Sequence, residues 1–279
     1  MRTLVQPGPV HPARFESFQG EPISLRYTLT PGLTLTEALT APLIAAGLQS
    51  ATITFGAGSL LPFRYVVPGP PDSKAHVAYF SAPHAPKGET RVDVANATFG
   101  WDGGKPFVHI HGAWTEPDGS RHGGHMLPQD CIVACEMPAQ AWGFAEIRLA
   151  TAADPETNFT LLQPSGGSVA GARGVFARIR PNQDVSLAVE AIARRHDLRD
   201  AIVRGSMGSL IGAHFSDGRV VADYATEVLV RQGAVHDGVA ELSMVVADMQ
   251  GHAHEGHLVR GDNPVLITFD LVLEACDNT

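Results

Sequence analysis

The sequence predicts a fold of mixed helix and strand in two tandem copies, and three observations predict it. Residues 34–60, TLTEALTAPLIAAGLQSATITFGAGSL, are echoed at a constant offset of 150 by residues 184–210, DVSLAVEAIARRHDLRDAIVRGSMGSL. Residues 107–126, FVHIHGAWTEPDGSRHGGHM, are echoed at an offset of 132 by residues 239–258, VAELSMVVADMQGHAHEGHL. Within each copy an amphipathic helical stretch gives way to a β-rich run that ends in Gly-Ser-Leu. Two copies make a duplication, not a solenoid, which needs three or more stacked repeats.

The elements follow in order. Residues 1–22 form an N-terminal extension marked by Pro7, Pro9 and Pro12. The first unit runs over 23–150. The shorter second offset means that this copy holds extra residues between its blocks, around 61–90, a Pro-rich stretch with Arg64, His76 and His84. Long inserted loops of this kind are either functional or merely tolerated. A connector over 151–173 has a Pro-Ser-Gly-Gly centre. The second unit covers 174–279. Its helix is expected to place Val185, Leu187, Ala188, Ala191 and Ile192 at helical spacing.

The chain has thirteen histidines, several of them clustered. Phe107-Val-His109-Ile-His111 alternates like a strand, so His109 and His111 share one face while Val108 and Ile110 enter a core. A turn at Glu116-Pro-Asp-Gly119 follows, then His122-Gly-Gly-His125. The glycines permit a tight path that returns His125, rather than His122, to the first pair. Three neutral histidines with an open fourth position are the arrangement of a catalytic zinc site. The expected cofactor is therefore a divalent metal, zinc in the first instance, although imidazole also suits other first-row metals. The bland alternative is a set of surface or hydrogen-bonded histidines.

The second unit departs from this pattern. Glu241 and Ser243 stand where His109 and His111 stand, and His257 matches His125. Two readings are open: a decayed, metal-free copy, or a different site built on Glu241 and His257. An acid follows each Gly-His segment, Glu136 in one copy and, shifted by two residues, Asp270 in the other. An acid inside an apolar strand is costly unless paired. It serves as a general acid or base, as a partner of a ligating histidine, or as half of a structural ion pair. Cys131 and Cys135 have neither zinc-ribbon nor thioredoxin spacing, and no dinucleotide, Walker A or Gly-x-Ser-x-Gly signature is present.

Val108-His-Ile-His111, Asp118-Gly119 and Gly123-Gly-His125 resemble the signature of the PPC domain, the domain of unknown function 296 found in plants and prokaryotes. The resemblance covers most of 23–150, and a looser version without His-x-His covers 174–279. It implies an α+β fold: two tandem PPC-like domains, each a mainly antiparallel sheet with packed helices. It also implies a homo-oligomer, because members of the family usually assemble as trimers. The fold is similar to acetolactate decarboxylase and to three-histidine zinc ester hydrolases. That similarity makes His109, His111 and His125 the metal ligands; Glu136 for proton transfer and Arg64 for a substrate carboxylate are expected beside them, though neither matches a motif of those relatives.

Two functions are expected from this. The first is a metal-dependent lyase, decarboxylase or hydrolase acting on a small oxygenated carboxylic acid or ester. The alternative is a DNA-binding or regulatory protein in which the histidines are structural. The formal net charge of −9 favours the enzyme, because such a chain has no bulk attraction for nucleic acid or anionic lipid. The sparse, odd cysteine count, the absence of an N-terminal apolar run and the lack of a long apolar segment point to a cytoplasmic protein with no membrane span.

Overall fold

The computed structural model describes residues 2–71 and 73–276. Two large sheets dominate it, and no helix is long and apolar enough to cross a membrane. The first sheet has the strand order Ile23–Leu29, Met137–Phe144, Ser50–Phe55, Thr90–Asp102, Lys105–Thr115, Arg121–Met126 and Tyr65–Val66. The second has the order Phe15–Gly20, Gly174–Ile179, Val265–Ala275, Ala201–Val203, Thr226–His236, Val239–Ala247 and Ala253–His257. Neighbours along both paths are antiparallel. Without its first strand, the second sheet repeats the connectivity of the first as far as Arg121–Met126; the Tyr65–Val66 strand has no counterpart in it.

Register places the repeated segments alike. Gly58, Ser59 and Leu60 lie opposite Val92, Arg91 and Thr90. Gly208, Ser209 and Leu210 lie opposite Val228, Glu227 and Thr226. His125 pairs with His111, and His257 pairs with Ser243.

Each sheet carries one helix, so helix packing is sparser than two layers of helices would give. Helix α1, Leu35–Ala45, starts in a capping box. Glu37 N–H donates to the Thr34 hydroxyl, and Thr34 N–H donates back to the Glu37 carboxylate. Leu35, Ala38, Leu39 and Leu43 bury its inner face. Helix α2, Val185–Arg195, is capped by Asp184, which accepts from Leu187 N–H. Its buried stripe is Val185, Ala188, Val189 and Ile192. Leu187, expected on that stripe, is 40% exposed. The i, i+3, i+4, i+7 set that meets the sheet runs one position away from it.

Two segments read as peripheral are built into the sheets. The N-terminal extension supplies the Phe15–Gly20 strand to the second sheet, paired with Gly174–Ile179. Much of the expected connector is a hairpin arm, Thr160–Gly166, paired with Ile147–Ala153. The Pro-Ser-Gly-Gly motif lies across the end of that strand, so it marks a strand terminus instead of a free linker. Within the same segment, buried Asp154 accepts from Arg178 at 2.7 Å and from Arg180 at 2.8 Å.

One face of each sheet packs on its own helix, which gives two separate apolar cores. The other faces meet. Trp142 and Phe144 of the first sheet cluster with Phe176 and Val272 of the second. Val94 and Ala113 cluster with Met207, Leu229 and Val245. Polar side chains cross this junction as well. The Thr52 hydroxyl donates to the Arg204 carbonyl at 2.9 Å. Asn96, fully buried, donates to the carbonyls of Ser206 at 3.0 Å and Val230 at 2.9 Å, and accepts from Thr54.

Truncating Asn96 removes the side-chain donor from the Val230 carbonyl and one of two donors from the Ser206 carbonyl, which keeps the Val230 N–H at 2.9 Å. A buried group that loses its donor costs about 1–3 kcal/mol, so Asn96→Ala is expected to lower stability by about that much. Urea unfolding followed by circular dichroism checks this. A loss under about 0.5 kcal/mol would show that the junction does not depend on this hook.

Candidate metal centre

The site grows from strand alternation. In the Lys105–Thr115 strand, His109 lies opposite Thr98 and His111 lies opposite Asn96, so both histidines share the face turned to the second sheet. Val108 and Ile110 point the other way, into the core under α1. His125 comes from the next strand, directly opposite His111. Gly124 is required on that strand, because a Cβ there would lie 2.7 Å from the Val66 carbonyl oxygen. The close approach of the Tyr65–Val66 strand holds His125 in place.

The three rings form one cluster, with centroids 4.6, 4.9 and 5.5 Å apart. One nitrogen from each lies within 4.8 Å of the others. His122 stays out of it. It pairs with Trp114, and its Nε2 lies 3.0 Å from the Ser120 hydroxyl.

The second unit closes over the cluster. His111 Nδ1 donates to the Val228 carbonyl at 3.1 Å, and His111 Nε2 lies 2.7 Å from Glu227 Oε2. The carboxylate is close but out of line, so Nε2 makes no hydrogen bond, and neither does buried His125 Nδ1. Buried polar nitrogens without partners are uncommon and ask for a reason. With Nδ1–H committed to Val228, a bare Nε2 lone pair would face a carboxylate oxygen. A proton or a cation has to offset that repulsion.

The protonation states follow the surroundings. Burial, then the neighbouring His111, pushes His125 down to about 3. Burial, then His111 and His125, holds His109 well below its ordinary value. Burial also pulls on His111, but the Glu227 carboxylate, the Val228 carbonyl and more distant Asp270 outweigh it, and its pKa is raised. Asp270 is buried on the Val265–Ala275 strand, and that burial raises it to about 6 against the opposing pull of Thr98, Arg178 and His111. Two imidazoles whose neutral form is favoured thus stand beside a third whose proton affinity Glu227 raises. Deprotonated imidazole nitrogens converging in a buried site are the donor set that a first-row divalent cation takes.

A cavity of about 70 Å³ opens beside His109 and His111. Glu227 and Ser209 line one side, and Phe159 and Leu266 are among the apolar walls. The inserted stretch contributes Tyr79 and Phe80, and Phe80 also lies 5.1 Å from the His125 ring. Among the described residues no lysine or arginine lines the cavity.

Two expected site residues lie elsewhere. Arg64 is half exposed and 4.0 Å from Asp130, outside the cavity lining. Glu136 is exposed, because the run before the Met137–Phe144 strand is irregular and its alternation does not carry through. His76 packs on Phe159, and His84 stacks on Tyr65. Glu227 is the residue that sequence reasoning missed. Its one signal was an acid heading the apolar run Val228-Leu229-Val230.

Residues 166–277 match the family model of the Plants and Prokaryotes Conserved (PCC) domain. The match falls on the second unit, whereas the motifs quoted for the resemblance lie in the first. No curated protein matches the chain. Among solved structures, the chain is similar to the metal-containing protein AF0104 from Archaeoglobus fulgidus, at 18% identity and TM-score 0.42, over 52% of this chain and 97% of that one. It is similar to a plant- and prokaryote-conserved protein from Pyrococcus horikoshii, at 15% identity and TM-score 0.41, over 56% and 97%. It is also similar to a candidate DNA-binding protein from Ralstonia eutropha JMP134, at 18% identity and TM-score 0.37, over 52% and 96%.

The depressed histidines give the metal-free fold an acid sensitivity. His125 has an ordinary value of 6.5 and a folded value of about 3. Its contribution is therefore present above pH 6.5 and is lost as pH falls toward 3, on the order of 5 kcal/mol in full. His109 acts in the same sense. Asp270 and His111, both raised, act in the opposite sense. Metal-free protein is expected to lose stability between pH 7 and pH 4, and His125→Gln to flatten that slope. Equal slopes in urea titrations of the two proteins would contradict the assignment.

Proposed function

We propose that the chain is a metal-dependent enzyme in which His109, His111 and His125 hold a divalent cation, zinc in the first instance. The observation that carries this reading is the cluster of three histidines that bring one nitrogen each within 4.8 Å of one another, with His111 Nε2 and His125 Nδ1 buried and unbonded. The reaction class is lyase or hydrolase, and the substrate is a small oxygenated acid or ester. Bound there, the metal would act as a Lewis acid toward a carbonyl oxygen or lower the pKa of water.

The chain's own residues supply the rest. Val228 sets the tautomer of His111 through its carbonyl. Phe159, Leu266, Tyr79 and Phe80 keep bulk water from the cavity. The cavity is about half the ~150 Å³ that admits benzene, so the substrate portion it takes is a handful of atoms. With no lysine or arginine in its lining, a carboxylate substrate would depend on the bound cation for its counter-charge, whereas an ester would not. The two units are read as copies of one PPC-like domain, with boundaries near 23–150 and 174–279. A nucleic-acid role is the weaker reading, because most of the arginines are paired with acids, as in Arg121 with Asp93 and Arg260 with Glu190.

Elemental analysis of untagged protein tests the proposal, beside a His109→Ala/His111→Ala variant. Near-stoichiometric metal in the wild type, lost in a folded variant, is the expected result. No metal after reconstitution with zinc, iron or manganese would overturn it.

A further inference from the structure

The three histidines bring no negative charge to their cluster. A divalent ion among neutral imidazoles is a buried double positive charge, costly unless acids lie close. The nearest carboxylates both belong to the second unit. Glu227, 8% exposed, reaches within 2.7 Å of His111 Nε2, and Asp270, 2% exposed, is near enough to act on His111.

Arg178 lies opposite Asp270 and acts on it, so Glu227 is the less compensated of the two. Arg178 and Arg180 share Asp154, and Arg180 also pairs with Glu16. Glu227 has no lysine or arginine partner among the described residues, so its negative charge is left to offset part of that of a divalent ion.

The acid is not a general feature of the fold. By register, Glu227 opposite Ser209 takes the place that Arg91 opposite Ser59 takes in the first unit. The carboxylate stands only on the copy whose face meets the histidines.

We infer that the second unit supplies the counter-charge for a cation held by the first, with Glu227 as the positioning residue beside His111. The inference rests on the three-histidine reading. It also gives the second unit a role although Glu241 and Ser243 replace its own histidines.

The test is a zinc titration of the full chain against a competing chelator, with cobalt(II) absorption spectra, for wild type, Glu227→Gln, Glu227→Asp and His125→Ala. Glu227→Gln is expected to weaken zinc binding roughly 10–100-fold, on the order of the loss seen when a group outside the ligand set is removed. Its cobalt spectrum should keep the wild-type bands, and Glu227→Asp should recover part of the affinity. His125→Ala should lose both affinity and spectrum. Wild-type affinity in a folded Glu227→Gln would overturn the inference and leave the three-histidine reading standing. A cobalt spectrum altered as His125→Ala alters it would also overturn it, by making Glu227 a ligand. A wild type that binds no zinc or cobalt would overturn the three-histidine reading itself. Thermal melts check folding, and if Glu227→Gln does not fold, the affinity of Glu227→Asp decides.

Discussion

The molecule depends on burying the polar faces of two sheets against each other. A sheet has two faces, and each helix covers only one. The uncovered face of the first sheet carries Thr52, Thr54, Asn96, Thr98, His109 and His111, joined pairwise by cross-strand register. Such a face is too polar to bury without partners. The second unit brings those partners: the carbonyls of Arg204, Ser206, Val228 and Val230, and the Glu227 carboxylate. The N-terminal strand and the hairpin arm then follow as ties. Phe15–Gly20 extends the second sheet, and Asp154 anchors Arg178 and Arg180 from the arm side.

Inside that junction, geometry becomes chemistry. Apolar walls lower the local dielectric, so a charge left unpaired there costs more than it would at the surface. Burial disfavours charge on His109 and His125, whereas Glu227 favours it on His111. The inserted stretch of the first unit bears on the same point. It offers little regular structure, yet Tyr79 and Phe80 reach the cavity, and Phe80 covers His125.

The part of this that was legible in the sequence is the part written in local period. Alternation in Phe107–His111 places two histidines on one face, and Gly124 permits the third to come alongside. The offsets of 150 and 132 correspond to equal register positions in the two sheets. The acids were not legible, because their partners lie more than a hundred residues away. Glu227 and Asp270 each look like an acid in an apolar strand, and no window around them says which histidine they face. Glu136 misled for the converse reason. Met137 pairs with Leu29 as Phe269 pairs with Ile179, so Glu136 corresponds to Thr268, and the counterpart of Asp270 is Pro138.

Sharing one site between two units changes what each unit must keep. In a symmetric assembly of identical chains, every copy carries both halves of an interface site, the histidines and the acid that faces them. A chain that holds two copies escapes that requirement. The first unit has the histidines and sets Arg91 at the register position of the acid. The second has Glu227 there and sets Ser243 where His111 would be. Losing the histidine pair from the second unit therefore removes only a site whose facing acid is absent. Losing Glu227 would leave His111 Nε2 buried with no charge beside it. On the proposed reading of two PPC-like copies, this divergence is the pattern expected of one asymmetric site divided between them, rather than of a working domain followed by a decayed one.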